Sequence, residues 1–292
     1  PGSDTVSAGP LIQAIESARG DLEFRVGNWV LREVAQQWCL WNVHSLTPDI
    51  HINISPRHFL HPTFLNELQN ICAEFTGFGR ALVIEITETA MLEDLERAKR
   101  IMLRCRDLGA RMAIDDFGTG YASLTYIKRL PLDIIKIDRS FVAELPGNKV
   151  DWDITKGVVS IAHAVGLSVV AEGAEVFEQI GSLRELGCDQ VQGYFIHRPM
   201  PFIDAKNWLG RQIAAISEKN TAREDQYAAN ENNILPDNHA QQANQPHLVN
   251  HRTLAAATRM SVLCASASTT SRSSAGSRNS RHHSPSTALV DT

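Results

Sequence analysis

The chain has 292 residues, 43% of them apolar and 21% charged, and carries a net charge of −5. That balance is ordinary for a soluble globular protein and excludes attraction to nucleic acid or an anionic membrane through bulk charge. No apolar run approaches the roughly 18 residues of a membrane span, and no signal peptide opens the chain. With a start at Pro1 rather than Met, the sequence is expected to be a piece of something longer. The cysteines (Cys39, Cys72, Cys105, Cys188 and Cys264) contain no CxxC pair. This spacing argues against a disulfide framework and a zinc site. Buried, reduced thiols in a reducing compartment are expected instead.

In chain order, Val26, Val30, Val34, Trp38 and Trp41 form an apolar helical stripe. A short strand is predicted over Ile50 to Ile54 and another over Leu82 to Ile86. Leu92, Leu95, Ala98, Ile101, Met102, Cys105 and Leu108 form a second helical face, closed by Gly109. A strand over Arg111 to Ile114 runs into the pair Asp115-Asp116, and a glycine-punctuated segment, Phe117-Gly118-Thr119-Gly120-Tyr121, follows. The next strand is Ile134 to Ile137. Trp152, Ile154, Val158, Ile161 and Val165 then predict a helix facing the core with that stripe. Strands over Ser168 to Ala171 and Gln190 to Gln192 complete the series. After Ile216 the composition turns to Asn, Gln, Ala and Ser, which cannot bury enough apolar surface to offset ordering. The chain therefore divides into an ordered domain over 1–216 and a polar, Ser-rich, disordered tail over 217–292.

Several strands are continuously apolar and rich in Val and Ile, as buried parallel strands should be. Strand and helix in alternation predict a parallel α/β fold. No G-x-G-x-x-G follows the first strand, which weakens a dinucleotide-binding sheet. Each strand ends in a side chain with chemical capacity: Asn53, Glu85, Asp115, Lys136, Glu172 and Gln192. A closed barrel brings such ends to one mouth.

Glu85, Asp115, Asp116 and the Asn53 carbonyl are hard oxygen donors, a set that selects Mg²⁺ or Mn²⁺. Adjacent aspartates at a strand end are expected to point to opposite sides, so that one bridges two ions and the other reaches one of them. Two ions about 4 Å apart clamp the attacking and leaving oxygens of a phosphodiester displacement. Lys136 and Asp138 alternate and are expected to share a face. Lys136 can orient a water or neutralise charge on phosphorus. Glu172 and Glu175 flank Gly173; one can take a proton from the attacking water and the other can hold the loop after Asp116.

Together, Ile52-Asn53-Ile54-Ser55, Glu85-Ile86-Thr87-Glu88, Asp115 to Tyr121, Lys136-Ile137-Asp138-Arg139, Ala171-Glu172-Gly173-Ala174-Glu175 and Gln192-Gly193-Tyr194 resemble the EAL-domain cyclic di-GMP phosphodiesterases. The resemblance covers Val6 to Leu209. It implies a TIM-type (β/α)8 barrel that hydrolyses cyclic di-GMP to linear pGpG with Mg²⁺ or Mn²⁺, in bacterial second-messenger signalling. It assigns Asn53, Glu85, Asp115 and Asp116 to metal, Glu172 to the general base and Lys136 to the catalytic water. It sets Asp138 beside the metal cluster and Gln192 at a ligand or supporting position. Glu88 and Glu175 correspond to residues that hold the loop Phe117, Gly118, Thr119, Gly120 and Tyr121, through which homodimers form.

No Glu-Ala-Leu segment occurs near Pro1, so the barrel is expected to lack its first strand, one metal ligand and one phosphate contact. The alternatives are a non-catalytic cyclic di-GMP-binding or interaction module, and a barrel hydrolase acting on another phosphate ester. The resemblance places the domain in the cytoplasm, with neither DNA nor RNA as partner, and allows membrane tethering only through upstream domains.

Overall fold

A computed structural model describes residues 21–42, 48–88, 94–118 and 124–212, together with positions 15 and 214 and the pair 262–263. Six strands appear where the sequence predicts them. They are β1 (Ile50–Asn53), β2 (Leu82–Thr87), β3 (Arg111–Phe117), β4 (Ile134–Ile137), β5 (Ser168–Ala171) and β6 (Gln190–Val191). All pair in parallel, in sequence order. Helices lie between them, chiefly α1 (Leu22–Asn42), α2 (Phe64–Glu74), α3 (Leu95–Asp107), α4 (Lys149–Ala164) and α5 (Phe177–Leu186). This is the strand-and-helix wall of a TIM-type barrel, an open arc among the described residues.

The two faces of the sheet bury different things. Outward-facing Ile52, Ile84, Ile86, Met112, Ile114, Ile135, Ile137 and Val169 pack with the helices in one large core. Inward-facing Val83, Ala113, Ile134 and Val170 form a separate small cluster, the apolar floor of the concave side. Both faces being covered explains the near-continuous burial of β2 and β4, whose residues are apolar apart from Glu85, Thr87 and Lys136. On β1, period-two alternation puts Ile50 and Ile52 outward, and His51 and Asn53 inward.

The outer edge of β1 carries a two-residue parallel strand, β7 (Val262–Leu263), with Ile50 level with Val262 and His51 level with Leu263. The predicted disordered tail otherwise lies outside the described residues.

The stripe expected on α1 packs inward through Val34, Trp38 and Trp41, and that on α3 through Ala98, Ile101, Met102 and Cys105; Leu92 lies outside the described residues. The stripe expected on α4 does not. Ile154, Ile161 and Val165 are exposed, and the core face is Thr155, Val159 and Ala162, flanked by Trp152 and Val158. Small side chains on that face let the helix lie close to β4 and β5, so proximity outweighs bulk. Cys105 is buried, and Cys72 and Cys188 are half-buried; all are free thiols. Cys39 is exposed, against the expectation of burial, on the side of α1 away from Trp38 and Trp41. Among the described residues no helix is long and apolar enough to cross a membrane.

Ile135 is fully buried in β4, the strand that carries Lys136. Replacing it with Ala should cost roughly 2–5 kcal/mol of stability through lost burial and a residual cavity. Urea unfolding followed by circular dichroism measures it; a loss below about 1 kcal/mol would mean that β4 is not central to the core.

Candidate functional site

The strands are parallel, so their C-terminal ends share one rim, and the inward side chain of each last turn projects over the same space. Lys136 is the centre. It is 1% exposed on β4. Its Nζ lies 2.7 Å from Glu85 Oε2 on β2 and 2.9 Å from Asp115 Oδ1 on β3, and is ion-paired with Glu172 Oε1 just past β5. Burial disfavours the ammonium, but Glu85, Asp115 and Glu172 outweigh it and hold the lysine protonated well above its usual range.

The acidic pair departs from the expected geometry. Its residues belong to the strand itself, which runs on to Phe117. Between Ile114 and Phe117 the ladder slips, with Ile114 opposite Ile135 but Phe117 opposite Ile137. Three steps on β3 match two on β4, which is a β-bulge. Asp116 takes the positive φ of 52° that accommodates the extra residue. The bulge shifts the inside-outside phase by one. Asp115 and Asp116 therefore both face the concave side, and Phe117 turns to the outer core. Two adjacent aspartates thus point the same way, where a regular strand would send them to opposite faces. Carboxylate oxygens of Asp115, Asp116 and Glu172 come within 4.8 Å of one another, a group that can hold a metal ion.

The other predicted residues occupy distinct places. Glu85 is fully buried and lies outside that three-carboxylate group. Burial would raise its pKa, but Lys136 and His51 more than offset this, and the carboxyl is held below its usual range. Asp138 follows β4 and caps the short 3-10 turn Arg139–Phe141, accepting from Ser140 N at 2.9 Å. It also shares a side-chain hydrogen bond with Asp116, so Lys136 and Asp138 do face one site. Asn53 ends β1 beside Glu85 and is exposed. Gln192 follows β6, and its Oε1 is buried with no hydrogen-bond partner among the described residues. A buried acceptor of this kind costs free energy unless something donates or coordinates to it.

The loop residues are only partly described. Glu88 Oε1 accepts the Gly118 N–H at 3.4 Å, so Glu88 meets the base of the loop. Gly118 has φ 102°, and a Cβ there would lie 3.0 Å from Phe141. Thr119, Gly120 and Tyr121 lie outside the described residues. Glu175 does not reach the loop base through any described contact. Its side chain is exposed and its N–H donates to Gln179 Oε1 at 2.7 Å, as part of the N-terminal cap of α5. Gly173 has φ 71° and a Cβ there would fall 2.4 Å from Arg139 Cβ, which is why the turn after Glu172 requires glycine.

One participant was not anticipated. His51 is 2% exposed, and its Nδ1 lies 2.6 Å from Glu85 Oε1. The available signal was parity, because His51 is two residues before Asn53 and so shares its face.

Glu85, Asp115 and Glu172 meet one ammonium, and Asp116 and Asp138 add two further carboxylates to the same rim. The excess negative charge appears in the acid–base behaviour. Burial, then the neighbouring Asp115 and Asp138, push Asp116 up to about 6. Burial, against the pull of Lys136, pushes Glu172 up to about 7. Asp115 is raised as well, by burial and by Glu85. An oxygen-only donor set, crowded carboxylates and an unsatisfied amide oxygen fit a hard divalent cation.

Comparison with known proteins points the same way. A family model described as the EAL domain matches residues 1–199. Over 188 residues the chain is 33% identical to the cyclic di-GMP phosphodiesterase NbdA of Pseudomonas aeruginosa, covering 63% of this chain and 24% of NbdA. Over 194 residues it is 37% identical to the oxygen sensor protein DosP of Escherichia coli, covering 65% of this chain and 24% of DosP. The chain thus spans about a quarter of these relatives. Among solved structures, the PaMucR phosphodiesterase in complex with c-di-GMP superposes with a TM-score of 0.65 at 33% identity, covering 69% of this chain and 81% of that one. The EAL domain of Mycobacterium smegmatis DcpA does so at 0.62 and 34%, covering 65% and 86%.

The raised carboxyls predict how the metal-free protein responds to pH. Asp116 and Glu172 bind protons more tightly folded than unfolded, so their contribution is fully present below about pH 4 and is lost as pH rises through about 6 and 7. The melting temperature of the metal-free protein should fall over that window, and less steeply in Asp116→Asn and Glu172→Gln. Identical slopes in the variants and the parent protein would contradict the crowding of these groups.

Proposed function

Because the chain belongs to the EAL domain family, we propose that it is a phosphodiesterase that hydrolyses cyclic di-GMP to linear pGpG with Mg²⁺ or Mn²⁺. The observation that carries this is the convergence of Asp115, Asp116 and Glu172 beside the buried Lys136, at the rim where parallel strands end. Asp115, Asp116, Asn53 and Glu85 would hold the metal, with Gln192 Oε1 as a further oxygen donor or support. When bound, the cation supplies Lewis-acid stabilisation of the phosphate oxygens and a water more acidic than bulk.

The chain's own residues do the rest. Glu172, at about 7, is poised to accept a proton from the attacking water near neutral pH. Lys136 remains charged; with its three donors on Glu85, Asp115 and Glu172 it orients the base and offsets negative charge beside the developing charge on phosphorus. The new bond joins the water oxygen to phosphorus. The bond that breaks joins phosphorus to a ribose 3′ oxygen, which takes a proton from solvent as it leaves, while the proton held by Glu172 returns to solvent. Asp138 fixes Asp116 from the far side, and Glu88 holds the loop that begins at Phe117 and Gly118. Dimerisation through that loop, a role for Glu175 in holding it and a cytoplasmic site of action belong to the same proposal.

A second reading is cyclic di-GMP binding without turnover. One observation favours it: among the described residues, the outer edge of β1 carries only Val262–Leu263, which adds no carboxylate to the rim.

Hydrolysis of cyclic di-GMP, followed by chromatography with Mn²⁺ present, separates the two. Phosphodiesterase activity predicts pGpG formation that EDTA abolishes and that Asp115→Asn lowers by about 100-fold or more, in line with the loss of an electrostatic contributor to the transition state. Calorimetric binding of cyclic di-GMP with no product would establish the second reading instead. Turnover insensitive to both EDTA and Asp115→Asn would overturn the proposed site.

A further inference from the structure

His51 is placed to control the site from one layer below the rim. On β1 it lies two residues before Asn53 and faces the concave side. Its side chain is 1% exposed, and that of Glu85 is wholly buried. Glu85 is ionised, and a carboxylate only accepts, so the hydrogen between them sits on His51 Nδ1 and is donated to Glu85 Oε1 at 2.6 Å. The other oxygen, Oε2, receives the Lys136 ammonium at 2.7 Å. Lys136 in turn contacts Asp115 and Glu172. One continuous buried chain of polar contacts thus runs from His51 through Glu85 and Lys136 to two carboxylates of the rim. It crosses β1, β2, β4, β3 and the end of β5.

We infer that His51 is a positioning residue of this site: its hydrogen bond to Glu85 Oε1 fixes the carboxylate so that Oε2 holds Lys136 between Asp115 and Glu172. A glutamate side chain has three rotatable bonds, and Lys136 alone would anchor one of its oxygens. With donors on both oxygens the carboxylate plane is set. The ammonium it holds then has one position from which to meet Asp115 and Glu172 together. Supporting hydrogen bonds of this kind orient metal-site ligands and raise affinity. The inference rests on the metal-binding reading above for its consequence, and on the buried contact alone for its geometry.

Two measurements on the whole chain test it. The first uses metal-free protein. Proton NMR should show a downfield, solvent-protected imidazole N–H signal that vanishes in His51→Asn and moves in Glu85→Gln; absence of that signal in the folded parent protein overturns the inference. The second titrates Mn²⁺ by electron paramagnetic resonance, which needs no turnover. His51→Ala should weaken Mn²⁺ binding by about 10- to 100-fold. His51→Asn, whose amide nitrogen can take the place of Nδ1, should recover most of the loss. In a Glu85→Gln background, His51→Ala should have little further effect. A folded His51→Ala protein that binds Mn²⁺ as the parent does would overturn the inference, as would a loss that Asn does not repair and that persists without Glu85. If the parent protein binds no Mn²⁺, the metal reading fails, and the NMR signal still decides whether His51 holds Glu85.

Discussion

Lys136 is a charged amine with almost no contact with water, and its burial sets the terms for everything around it. Moving an ammonium out of water costs several kcal/mol, and only opposite charge at close range offsets this. Glu85, Asp115 and Glu172 supply it from three different strands. The pairing requires β2, β3, β4 and β5 to be parallel and in register, because an error of one residue in any of them would turn its carboxylate into the outer core. The fold and the site are therefore mutually dependent. The apolar core aligns the strands, and the alignment makes a buried lysine tolerable.

The lysine does not neutralise the rim. Asp116 and Asp138 add further carboxylates, and burial, reinforced by neighbouring carboxylates, raises Asp115, Asp116 and Glu172 above their usual range. A rim that resists full ionisation in the metal-free protein is one that a divalent cation would relieve. Glu85 behaves in the opposite way, because both of its oxygens have donors. The acidic residues thus divide by environment. Glu85 is an anion held in place by Lys136 and His51, whereas Asp115, Asp116 and Glu172 are crowded groups that hold protons more tightly than free carboxyls. Similar carboxylates acquire different roles from their neighbours.

The bulge in β3 is the local device that makes the rim possible. Without it, Asp116 would face the helices, and Phe117 would occupy the concave side. With it, Asp116 joins Asp115, Phe117 enters the outer core, and the chain leaves the strand through Gly118, where a side chain would press on Phe141. A left-handed backbone at a non-glycine residue is uncommon and concentrates at functional positions. On the opposite flank Gly173 serves a related purpose. It lets the chain turn tightly past Arg139, so that Glu172 meets Lys136.

Much of this was legible in the sequence. Apolar runs rich in Val and Ile marked several of the strands, and the polar residue near each end marked the rim, because strand periodicity is a local property of the chain. The helix α4 shows where that logic weakens: its bulky residues suggested one face, and close packing against the sheet selected the smaller residues of another. What the sequence by itself determined was the order of strands and helices and the identity of the residues at the strand ends, including Glu85, Asp115, Lys136 and Glu172. What only the tertiary structure decided was orientation. The slipped register between β3 and β4 turned Asp116 inward, and the neighbouring strand brought His51 to Glu85. Both depend on which atoms of separate strands come into contact, and spacing along a single chain does not specify that.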